Sequence, residues 1–112
     1  MSNTYKVLGQ INPSANTQSN VYVVPAATQV AVNSITIANQ SASNASYSLI
    51  VMPSNLYSSS APANTFIIRG GVIPGADAAI LTLSLGLPTG AIIAANTNSS
   101  NISFSVFGVE IT

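Results

Sequence analysis

"NISFSVFGVEIT", residues 101–112, alternates apolar and small polar residues and carries a single formal charge, Glu110. Ile102, Phe104 and Val106 point one way and Ser103 and Ser105 the other, the pattern of a strand with one face buried. Phe107, Val109 and Ile111 continue the alternation one residue out of phase, the slip falling at Val106-Phe107 beside Gly108. Because a one-residue slip exchanges the buried and exposed faces, two readings stand side by side. Either a bulge absorbs the slip within a single core, or the strand passes from one environment to another. In the second reading Phe107, Val109 and Ile111 are candidate contacts with a partner.

The same period of two runs through the rest of the chain. In "SITIA" (34–38) Ile35 and Ile37 share a face, in "YSLIVM" (47–52) Tyr47, Leu49 and Val51 do, and in "ILTLSL" (80–85) Leu81, Leu83 and Leu85 stand opposite Thr82 and Ser84. These read as half-buried strands. Apolar residues do not recur at three and four, and β-branched residues, Ser and Asn fill the segments, so helices are not expected. Strands are predicted over Tyr5–Gln10, Asn20–Val24, Gln29–Asn39, Ala45–Met52, Thr65–Ile73, Ala78–Leu85, Ala91–Ala95 and Ile102–Ile111. The stretches between them, such as "PAAT", "NQSASN", "PGAD" and "NTNSS", are rich in turn residues. Pro13, Pro25, Pro53, Pro62, Pro74 and Pro88 all fall at strand ends or in loops, where a missing N–H breaks no ladder. About eight short strands without helices predict an all-β fold: an antiparallel double-sheet sandwich, jelly-roll-like, forming one domain over residues 1–112.

Composition bounds the function. Charged residues make up 4% of the chain and apolar residues 47%, with no net charge. Lys6, Arg69, Asp77 and Glu110 are the whole ionic inventory. No basic stripe is available for nucleic acid, and no like-charge repulsion keeps copies apart, so an assembled form is expected. No apolar run is long enough to span a bilayer as a helix, and "MSNTYKVLGQ" does not read as a signal peptide, so synthesis in the cytoplasm of the producing cell and no membrane partner are expected. The sequons at Asn39, Asn44, Asn98 and Asn101 read as chance in an Asn- and Ser-rich chain.

Histidine and cysteine are both absent, which removes the commonest general base, the commonest metal ligand and the thiol nucleophile. No enzymatic activity, catalytic residue, metal or cofactor is expected. Asp77 with Glu110 is the single carboxylate pair that a glycosidase could use, and pairing of these acids with Lys6 or Arg69 is the simpler expectation. "RGGVIPG" (69–75) has the glycines of a phosphate loop without its spacing or a following helix; Gly70-Gly71 reads as a strand kink and Pro74-Gly75 as a turn. Arg69 is a candidate partner contact through a carboxylate or backbone carbonyls, with a local bond to Asp77 as the alternative. The longest loop, "MPSNLYSSSAPAN" (52–64), holds Leu56 and Tyr57, which either anchor a partner or lie in a lid over one end of the sandwich.

Three phrases, "YKVLGQINP", "VYVVPAATQVAVNSITIANQS" and "NISFSVFGVEIT", resemble a recurrent small all-β family of tailed-bacteriophage virion proteins, the likeness spanning nearly the whole chain. The resemblance implies a structural component of the virion and assigns no residue a role. The first expectation is a capsid decoration (cement) protein, a homo-oligomer and specifically a homotrimer, that clamps neighbouring major capsid proteins on the shell surface. The alternatives are a small tail, neck or baseplate component and, from a different class, a carbohydrate-binding jelly roll for host adsorption, which needs a polar cleft with aromatic side chains. The very low charge runs against wide solvent exposure.

Overall fold

Strands form where the alternation places them. The computed structural model describes residues 3–52 and 66–112, the side chains of Phe66, Arg69 and Leu83 excepted. Along these residues run β1 (Asn3–Ile11), β2 (Ser19–Val23), β3 (Gln29–Asn39), β4 (Ala45–Met52), β5 (Phe66–Ile73), β6 (Ala78–Leu87), β7 (Ile92–Thr97) and β8 (Ile102–Ile111). They build two antiparallel sheets, β1-β8-β3-β6 (sheet A) and β2-β7-β4-β5 (sheet B). Each strand pairs across the chain in a nest, the first with the eighth, the second with the seventh, the third with the sixth and the fourth with the fifth. That is the strand order of a jelly roll.

The core lies between the sheets. Ile35, Ile37, Ile102, Phe104 and Val106 of sheet A meet Tyr47, Leu49, Ile93 and Ala95 of sheet B. The rings of Tyr47 and Phe104 pack edge to face with centroids 6.3 Å apart, the arrangement aromatic quadrupoles favour.

Strand β8 keeps its phase throughout. Ile102, Phe104, Val106 and Gly108 are buried, while residues 103, 105, 107 and 109 alternate with them on the outer side. No residue of β8 is extra; the bulges are in its neighbours. Between the levels of Gly108 and Val106, β8 takes two steps, whereas β1 (Lys6 to Gly9) and β3 (Val32 to Ile35) take three. Across the same levels β6 takes four, from Leu85 to Leu81. The added residues fan outward from β8 and bend the sheet about this line. Gly108 sits at the bend because a Cβ there would run into the carbonyl oxygen of Ala31 and meet Leu8 at 3.0 Å.

At one end of the sandwich a buried amide ties two turns together. Asn39 Nδ2 donates to the carbonyls of Ser43 (2.9 Å) and Ile73 (3.0 Å), and its Oδ1 accepts from the N–H and hydroxyl of Ser41. The predicted turn at Pro74-Gly75 is present, but the left-handed residue is Ala76, with φ 54°. Gly75 serves close approach instead, since a Cβ on it would strike the backbone of Ala42. The predicted kink at Gly70-Gly71 is also present: Gly70 has φ 72° and the register with β4 shifts beside it.

Candidate binding surface

The outer face of sheet A is divided. Towards one end it carries Thr36, Ala38, Ser103 and Ser105, with Gln10 donating to the Ser105 hydroxyl at 3.2 Å. Towards the other it carries Phe107, Val109 and Ile111 of β8 beside Tyr5 and Val7 of β1, paired across strands as Tyr5 with Val109 and Val7 with Phe107. Ala31 of β3 flanks Val109 on the opposite side. Tyr5 is 65% exposed and Val7 46%, while Phe107, Val109 and Ile111 are half-buried. A shallow open depression lined by Gln29, Ala31, Gly86, Pro88 and Ile111 borders this apolar ridge. A ridge of large apolar side chains beside a hollow suits docking to another protein surface.

The ends of β1, β2 and β8 meet just beneath that ridge. Glu110 Oε1 accepts from Lys6 Nζ at 3.1 Å and Oε2 accepts from the Tyr22 hydroxyl at 2.7 Å, joining sheet A to sheet B. These bonds, Tyr22 first and Lys6 second, hold the Glu110 carboxyl below its ordinary range. Burial, and then the bond to the carboxylate, pushes the Tyr22 hydroxyl well above the ordinary tyrosine range. The ridge therefore presents no unpaired charge, because the carboxylate and ammonium closest to it satisfy each other.

The outer face of sheet B has the same division but a different fate. Ser46, Ser48, Asn96 and Asn98 line an open polar hollow together with Asn16. Much of its hydrogen-bonding capacity is used internally, since the Ser46 N–H donates to Asn98 Oδ1 and Gly70 N–H to the Ser48 hydroxyl. Tyr47 borders the hollow but is 7% exposed, so its ring offers no stacking platform for a sugar. Beyond it, Ile50, Met52, Ile92 and Ala94 form a second apolar cluster that is shut away from solvent. "YSLIVM" is therefore not half-buried as its alternation suggested: Ile50 and Met52 are as inaccessible as Leu49.

The two carboxylates cannot act as a pair. Asp77 lies at the Asn39 end of β3, where its carbonyl accepts from the Asn39 N–H, and Glu110 pairs with Val30 at the other end. Nine residues of strand separate them, about 30 Å. Glu110 takes the expected partner Lys6. Of the candidate contacts, Phe107, Val109 and Ile111 are brought together on one face; Leu56 and Tyr57 lie outside the described residues, as does the side chain of Arg69. Tyr5 and Val7 complete the ridge and were not anticipated, although their alternation with Lys6 in "YKV" is the signal that finds them. Among the described residues no group of acidic side chains is arranged to hold a metal. No family model, curated protein or solved structure matches the chain.

Proposed function

We propose that this protein is a structural component of a tailed-phage particle, a capsid decoration protein that binds the major capsid protein through the outer face of sheet A. The observation that carries the reading is the ridge of Tyr5, Val7, Phe107, Val109 and Ile111, large apolar side chains held outward on a rigid sheet without an unpaired charge. Rigid apolar anchors with little charge to desolvate are what a permanent packed interface uses. The jelly-roll strand order and the likeness of three segments to phage virion proteins support the same conclusion.

Quantifying the protein in purified particles of the phage that encodes it tests the proposal. Hundreds of copies spread over the shell are expected. A few copies at one vertex would move the protein to the tail, neck or baseplate, and absence from the particle would overturn a structural role altogether. Carrying Phe107→Ser and Val109→Ser together should abolish attachment to shells that lack the protein while the chain still folds.

A further inference from the structure

The four edge strands are not equally defended against pairing with another chain. Exposed edges invite intermolecular pairing and are blunted by short length, charge, proline or bulges. Edge β2 is five residues long and its register shifts between Asn20 and Tyr22. Edge β1 carries Lys6 and a bulge at Leu8, and packs so closely on β2 that a Cβ at Gly9 would strike the Val21 carbonyl. Edge β5 contains Arg69 and is broken at Gly70, with φ 72° and shifted register. Edge β6 differs: its ten residues, "AAILTLSLGL", include no charge and no proline. Its single irregularity lies opposite Asn33, and Ala78–Thr82 pair with Ala38–Ser34 in unbroken register. Among the described residues β6 has no neighbour on its far side. In the middle of the regular stretch Ile80 is 70% exposed.

We propose that Ala78–Thr82 of β6 pairs antiparallel with the same segment of a second copy about a two-fold axis at Ile80. The segment suits itself: Ala78 faces Thr82 and Ile80 faces Ile80, a β-branched cross-strand pair of the kind that stabilises sheets. Charge raises no objection, because the one nearby acid, Asp77, is held about 20 Å from its copy, six strand steps away. The joint makes one continuous sheet, β1-β8-β3-β6 followed by its mirror order, with a ridge at each far side left free for the particle. The isologous joint gives a dimer, in place of the trimer expected from the resemblance. It does not depend on what the ridge binds.

The chain has no cysteine, so one introduced thiol reports on one site. In the full-length Ile80→Cys variant the thiols of two copies fall within disulfide reach at a two-fold strand pair. Mild oxidation should give a covalent dimer quantitatively, whereas Tyr5→Cys should not cross-link. By sedimentation the wild-type chain should be a dimer and Ile80→Lys a monomer with unchanged circular dichroism. A monomeric wild type at micromolar concentration overturns the proposal, and so does a dimer that survives Ile80→Lys or fails to link through Ile80→Cys. An Ile80→Lys monomer that still attaches to shells separates this edge from the ridge, so either reading can fail alone.

Discussion

The outer faces of the two sheets begin from the same chemistry and end differently. Along its two central strands each is polar over one half and apolar over the other. On sheet B the apolar half, Ile50, Met52, Ile92 and Ala94, is sealed off and belongs to the interior. On sheet A the apolar half leaves Tyr5 and Val7 exposed and Phe107, Val109 and Ile111 partly open to solvent. The contrast separates apolar residues closed into the monomer from those left partly open to solvent, a distinction that hydrophobicity alone does not make.

Substitution should expose that difference most sharply on sheet B. Ile92→Ala opens a cavity in a fully buried cluster and is expected to cost about 2–5 kcal/mol, a large share of the about 5–15 kcal/mol that holds such a domain. The midpoint in a thermal melt should fall by more than ten degrees; a drop of one or two degrees would mean that the cluster is not sealed. Phe107→Ser with Val109→Ser, on half-buried positions of sheet A, should cost less in the same melt for each apolar group removed than Ile92→Ala does, since part of the apolar area they lose already lies in water in the folded chain. If each of these groups proves as costly to remove as those of Ile92, the two faces are equivalent and the comparison collapses.

The smallest effect concerns the carboxylate under the ridge. Glu110 is held below its unfolded range, so its contribution is present above about pH 4.5 and is lost as acid protonates it in the folded chain. Tyr22 is held above its unfolded value of 10.0, so the folded chain keeps a proton that the unfolded chain releases, and stability declines as pH rises past that value. Melting midpoints should consequently be flat from about pH 5 to 9, where neither group titrates and no histidine exists to do so. Tyr22→Phe should remove the alkaline decline and shift the acid decline upward, towards the ordinary carboxylate range. A slope across the plateau in the native chain would point to another coupled charge.

How much of this was legible beforehand follows from what sets each feature. β3, β4 and β8 run over the residues that alternation predicts, and the remaining strands differ by a few residues at their ends. Period two is a local property, imposed by which face of a strand meets the core. The fate of Ile50 and Ile92 is not local: "LIVM" and "AIIAA" are unbroken apolar runs, the mark of strands covered on both faces, yet alternation through Tyr47, Leu49 and Val51 masked it. The phase slip at Phe107 was visible, but its resolution depended on residues in three other strands, as far away in the chain as Leu8. The extra residues lie in β1, β3 and β6, and nothing within "NISFSVFGVEIT" reports them.

The nested pairing also has a bearing on synthesis. β4 with β5 is the innermost pair, enclosed by β3 with β6, then β2 with β7, and finally β1 with β8. A ribosome adds about 5–20 residues each second, so β1 leaves it several seconds before the strand it pairs with exists. The outermost pair closes after the others can, and it is this pair whose two strands each supply half of the apolar ridge: Tyr5 and Val7 from β1, Phe107 and Val109 from β8. An unfinished chain thus lacks the ridge, which is complete only once β8 has been made and has paired with β1.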